Sequence, residues 1–319
     1  MVTAMNEYIL VVLHKTDASF GCYDVQSGKQ CAVVKTRPFP HEICLSPDRK
    51  KIVIAEMGVR GVESPGAGGH TIAVYDTQTL KYLSTIDTGD FDRPHGLASH
   101  KNGQLFVTSE AKKYLLIYDL ESENLLHAVY LDQEGAHMVA VAPDGEHAYT
   151  ANIFSNTITQ VKVQAGIVDK QIAVLERPEG MVFSPDGNLI YVANRESRAI
   201  SIVDRHKGQQ VDTIKTGHGP ARVVLTPDGQ RLVIPLYHSA AVQIADTTRR
   251  QVTHTVTVGS HPAGTTLSPD GRLAFISCED ENLVYVLSMS SFEVIGTIKT
   301  GPGCDAMVCL YRDEVQKSG

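Results

Sequence analysis

A period of 42 residues runs through the chain and restricts its fold more than any other feature. A proline (alanine in one copy), two variable residues, an apolar run and a Ser-Pro-Asp-Gly-like turn recur from end to end. The copies read PHEICLSPD from Pro40, PHGLASHKNG from Pro94, AHMVAVAPDG from Ala136, PEGMVFSPDG from Pro178, PARVVLTPDG from Pro220 and PAGTTLSPDG from Pro262. A worn seventh copy, GCDAMVCLYRD, starts at Gly303. Units of this length cannot bury their own apolar faces and must pack against neighbours.

Each copy reads as four short strands. In the fourth these are GMVFS, LIYVAN, AISIVD and QVDTIKT, with a turn at Pro185-Asp186-Gly187 after the first. The runs are β-branched or aromatic and are bounded by Gly, Asp, Asn and Pro. Asp-Gly between apolar runs favours a tight hairpin, because its turn requires positive φ. No stretch sustains a 3.6-residue apolar period, so almost no helix is expected. The prediction is an all-β, seven-bladed β-propeller with four-stranded blades, occupying residues 1–319 as one domain. YILVVLH, FGCYDV and CAVVKT near the N-terminus match the second, third and fourth strands of a copy, and AMVCLYR near the C-terminus matches a first strand. The C-terminal strand is therefore expected to complete the N-terminal blade and leave no open edge.

With YVAN at Tyr191 to Asn194, followed by SIVD, the chain resembles the YVTN-type seven-bladed propellers along essentially its whole length. That group includes surface-layer proteins, lactonase-like proteins and virginiamycin-B-lyase-like enzymes. The resemblance implies the fold and admits enzymes that use His and Glu with a divalent ion. It aligns no family's catalytic residues onto this chain. The absence of Trp and of a Gly-His…Trp-Asp pattern sets it apart from WD40 scaffolds.

Composition narrows the function. A net charge of −7 with no basic cluster argues against a nucleic-acid partner. The opening MVTAMNEYILVVLHK has a short apolar run without a basic segment before it, so it reads as a strand rather than a signal or membrane span. Six irregularly spaced cysteines without a CxxC pair read as reduced thiols in a cytoplasmic protein. The expected partner is a small molecule, with no membrane and a monomeric or weakly homo-oligomeric state. Phosphate loops, GxSxG and HExxH are absent, so any chemistry must come from the geometry of the repeat.

The first variable slot holds His41, His95, His137, Glu179, Ala221, Ala263 and Cys304. A second ring, counted 15 positions later, holds Glu56, Glu110, Asn152, Asn194, Leu236 and Cys278, with His14 from the closing blade. Both rings are expected around one mouth of the channel, polar on one half and apolar on the other. His41, His95, His137 and Glu179 form the expected ligand set for a divalent transition metal: Zn, Fe, Mn, Ni or Cu. Glu56 and Glu110 are candidates to orient those histidines, and with Glu179 they are the candidate proton carriers. Asn152, Asn194 and Tyr237 are placed on the substrate side. Taken singly, each histidine is equally a satisfied structural residue.

His41 to His95 spans 54 residues, and the extra segment Met57–His70 is glycine-rich. It is read as a flap with Arg60, Glu63 and His70 facing the substrate. Arg222 either clamps a substrate carboxylate or pairs with Glu42 or Asp305, which share its slot. Cys278 and Cys304 read as inert thiols without a base partner. The expected function is a metal-dependent lyase, isomerase or hydrolase acting on a small organic metabolite. A metal-free lactonase-like hydrolase and a non-catalytic platform are the alternatives.

Overall fold

The computed structural model describes residues 7–315. Seven four-stranded antiparallel sheets form the blades. Blade one runs through Pro40–Leu45, Lys51–Glu56, Thr71–Asp76 and Tyr82–Asp87, and blades two to six repeat that order. Blade seven joins Cys304–Tyr311 to Tyr8–His14, Ser19–Asp24 and Gln30–Lys35. The two ends of the chain pair from Tyr8↔Tyr311 to His14↔Cys304, so the ring closes as the repeat predicts.

The core is divided among the blade interfaces. Seven apolar clusters among the described residues each draw from two adjacent blades. Phe106 and Leu115 of blade two, for example, meet Ala148 and Val161 of blade three, all fully buried. Burying one large apolar side chain contributes roughly 1.5–3 kcal/mol. Each blade therefore depends on both neighbours.

One local irregularity positions the site. At the start of every innermost strand the register slips by one residue, as between Ala136↔Asn152 and Val139↔Thr150. The same slip occurs in the other six blades. A bulge of this kind re-aims side chains that a regular strand would send to opposite faces. Consecutive residues, such as His137 and Met138, thus both face the channel. In blade five the innermost strand shrinks to Val224–Leu225. Ala221 N donates to Pro235 O at 3.4 Å, so the missing N–H of Pro235 falls on the side of that strand.

The second variable slot alternates in size. Glu42, Met138, Arg222 and Asp305 fill it in blades one, three, five and seven, and Gly96, Gly180 and Gly264 in blades two, four and six. A Cβ at Gly180 would lie 2.7 Å from Arg222 Cα, and one at Gly264 would strike Asp305 O. The glycines let the next blade's long side chain lean across the axis.

Candidate functional site

A cavity of about 500 Å³ opens at the mouth where the innermost strands begin. His41, His137, Met138, Glu179, Arg222 and Asp305 reach it from those strands. Lys15, Arg195, Tyr237 and Glu279 reach it from the far ends of the second strands, and Arg60 and Glu63 cover it from the flap.

The histidines of the first slot stack because adjacent blades repeat the same bulge. Ring centroids lie 4.3 Å apart for His41–His95 and 3.9 Å for His95–His137. His95 is fully buried, and neither of its ring nitrogens has a hydrogen-bond partner. His41 Nδ1 and Glu110 Oε2 are likewise buried without one. His137 Nδ1 lies 3.0 Å from Glu110 Oε1. Burial holds the histidines neutral, pushing His41 down to about 3 and His137 to about 4, with His95 well below its usual value. Burial also raises the Glu110 carboxyl.

Among the described residues two donor sets fit a metal ion by distance: His41, Glu42 and His95, and His95, Glu110 and His137, each within 4.8 Å. The first is compromised because Arg222 grips both oxygens of Glu42. The second offers neutral nitrogens and an unpartnered carboxylate oxygen, which suits a divalent transition metal. Glu179 stands in neither set. Its Oε1 lies 2.9 Å from Arg195 Nη1 and 3.8 Å from Arg177 Nε.

Arg222 closes the floor of the cavity. It bonds Glu42 through Nη1 at 2.8 Å and through Nη2, and it lies 3.5 Å from Asp305 Oδ1. Lys15 Nζ completes the cluster, 2.9 Å from Asp305. Burial opposes the charges on Arg222, Asp305 and Lys15, yet Glu42 and Asp305 hold Arg222 above its usual value and Lys15 and Arg222 hold Asp305 below its own. The ion-pair alternative for Arg222 is therefore the one in place.

The second ring requires correction. Glu56, Asn152, Asn194 and His14 end the second strands of their blades, and their side chains tie down the following strand instead of lining the mouth. Glu56 accepts from Thr71 Oγ1 at 2.7 Å and from Arg37 N at 2.8 Å. Asn152 donates to Thr157 and Thr159 Oγ1, and Asn194 donates to Ala199 O and Ser201 Oγ. His14 meets Ser19 Oγ and Tyr23 OH. Buried Cys278 and Cys304 are thiols raised by burial to about 12 and about 11. The residues that face inward stand one place later: Lys15, Arg195, Tyr237 and Glu279.

Glu110 belongs with that later set. Blade two pairs Pro94 with Ser109, whereas blade one pairs Pro40 with Glu56, so its first hairpin is one residue shorter. The shortening carries Glu110 past the strand end and towards His137. Of the flap residues, Arg60 and Glu63 line the cavity, while His70 is exposed at its stem.

Arg177 and Arg93 were not expected. Both occupy the position just before an innermost strand, which has positive φ in all seven blades. Gly135, Gly219 and Gly303 fill it in three of them, and a non-glycine residue there is uncommon. Arg93 donates to the flap carbonyls of Val62 at 3.0 Å, Ser64 at 2.6 Å and Gly66 at 2.5 Å. Arg177 Nη2 bonds Glu63 Oε1 at 2.8 Å.

The neutral histidines set an acid limit. Unfolded, they titrate near 6.5; folded, His41 and His137 titrate at about 3 and about 4. The unfolded chain binds more protons in that interval, so this contribution is complete above pH 6.5 and is lost progressively as pH falls from 6.5 towards 3. Metal-free protein melted at successive pH values should show a level midpoint from pH 8 to 7 and a steady decline below 6.5. A flat profile down to pH 4 would contradict the burial of these rings.

Among the described residues no helix is long and apolar enough to cross a membrane. No curated protein matches the chain significantly. Among solved structures, a functionally unknown protein from Desulfotomaculum acetoxidans DSM 771 shares the fold with a TM-score of 0.78 and 13% identity, over 93% of this chain and 98% of that one. Hydrazine synthase from Kuenenia stuttgartiensis does so with a TM-score of 0.71 and 17% identity, over 84% and 88%. The family described as "Lactonase, 7-bladed beta-propeller" matches residues 26–225, more than half of the chain. The seven closed blades and this match together place the chain in the lactonase family of seven-bladed β-propellers.

Proposed function

We propose that the protein is a hydrolase that opens a small lactone or ester at this mouth, with a divalent transition metal held by His95, His137 and Glu110. The observation that carries the metal is His95, fully buried with both nitrogens unpartnered between two neutral imidazoles. An orphaned polar group of this kind costs about 1–3 kcal/mol unless something binds it. A bound metal supplies a Lewis acid for the carbonyl and a source of hydroxide near neutral pH. The chain's own groups do the rest. The blade-four guanidiniums stabilise the negative charge that ring opening creates, Tyr237 offers an aromatic wall, and the flap narrows the mouth. Family membership supports hydrolysis over elimination or isomerisation.

A second reading rests on the His137–Glu110 contact. With Glu110 fixing the tautomer, neutral His137 would act as general base without metal. Metal analysis of tag-free protein, followed by lactone hydrolysis with and without chelator, separates the two. The metal reading expects about one equivalent bound and activity lost on chelation. Activity that survives chelation supports the dyad, and hydrolysis of no lactone in a panel of ring sizes overturns both.

A further inference from the structure

We propose that Arg177 binds the carboxylate of a small monocarboxylate ligand, and that Glu63 of the flap competes for the same guanidinium. Arg177 and Arg195 stand side by side at blade four, and Glu179 meets both through one oxygen, at 3.8 and 2.9 Å. Among the described residues within ion-pair distance, the second negative charge comes from Glu63, 2.8 Å from Arg177 Nη2.

The two acids differ in how they are held. Glu179 is buried on an innermost strand, whereas the Glu63 side chain is 68% exposed at the tip of the flap. Arg93 fixes the body of the flap through its backbone carbonyls, so Glu63 leaves Arg177 by rotating its own side chain alone. Its departure exposes one uncompensated positive charge at the cavity wall. The guanidinium stays in place, packed against the Phe154 ring at 5.7 Å, while Arg195 packs on Tyr237 at 4.2 Å.

The residual charge selects the ligand. One positive charge matches a monocarboxylate, which replaces Glu63 like for like; a phosphate dianion would overcompensate it. This deepens the hydrolase reading and rests on it in one respect: ring opening of a lactone turns a neutral ester into such a carboxylate. Arg177 would then hold the acid end of the product.

Calorimetric titration with sodium gluconate and with inorganic phosphate, in the absence of any lactone, tests the subsite apart from turnover. Glu63→Gln should tighten gluconate binding about tenfold over wild type. Arg177→Gln should abolish it while its thermal melt remains cooperative. In wild type and in Glu63→Gln, gluconate should bind more tightly than phosphate. Unchanged affinity in Glu63→Gln, retained affinity in a folded Arg177→Gln, or a preference for phosphate would overturn the proposal. Gluconate binding that follows this pattern in a protein that opens no lactone would leave the subsite standing and remove the hydrolase reading. Lactone hydrolysis indifferent to Arg177→Gln would do the reverse.

Discussion

His95→Ala is expected to abolish metal binding and to lower kcat/KM about 1000-fold, equivalent to roughly 4 kcal/mol of transition-state stabilisation. The same change should leave the stability of the metal-free protein almost untouched. Truncating a buried ring of this size removes packing on the order of 2–3 kcal/mol. Yet His95 also carries two orphaned nitrogens, whose removal relieves a penalty of the same order. The two effects oppose one another. His137→Ala should differ, because it strands the Glu110 carboxyl that it now partners at 3.0 Å. Urea titration of both metal-free variants beside metal analysis checks the contrast. A large stability loss in His95→Ala with metal retained would return this histidine to a purely structural role.

Arg222→Met should destabilise the protein by about 3–5 kcal/mol at neutral pH, the largest effect expected of any single change at the mouth. Arg222 is the permanently charged partner of Glu42 and also lies 3.5 Å from Asp305, whereas neutral His41 lies 3.7 and 3.9 Å from the same two carboxylates. Loss of Arg222 leaves Glu42 buried without its bidentate partner. The pH dependence should also change sign. A buried carboxyl stripped of its cation has a raised folded pKa, so its destabilisation shrinks as pH falls. The variant should therefore recover part of its deficit between pH 7 and 5, an interval in which wild type loses stability. Adding Glu42→Gln should restore part of the loss at pH 7. Urea midpoints of the single and double variants across pH test this, and equal deficits at pH 7 and 5 would argue against a charge origin.

The repeat made the fold legible because each blade needs its neighbours in the same way, so one pattern determines seven sheets and their closure. The histidine slot was legible for the same reason. Glu110 does reach the histidines, but against His137 rather than His95 and by a route that counting does not give: a hairpin one residue shorter moves it from the strand end into the inward-facing position. Spacing places Glu56, Asn152 and Asn194 at the mouth because it gives position along a strand but not the face a side chain takes. Arg177 escaped notice because its position is defined by a left-handed backbone, which sequence reveals only where glycine occupies it.

Large and small residues alternate around the axis, but seven is odd, and strict alternation cannot close on itself. Two residues of like size must adjoin somewhere, and with four large residues to three glycines it is a large pair. They do so where blade seven meets blade one, as Asp305 and Glu42, two like charges side by side. Arg222, projecting from blade five, and Lys15 answer that mismatch. A ring with an even number of blades would have no such seam and no need of the cluster that floors the cavity. The asymmetry that gives this mouth a polar side is thus, in part, a matter of parity.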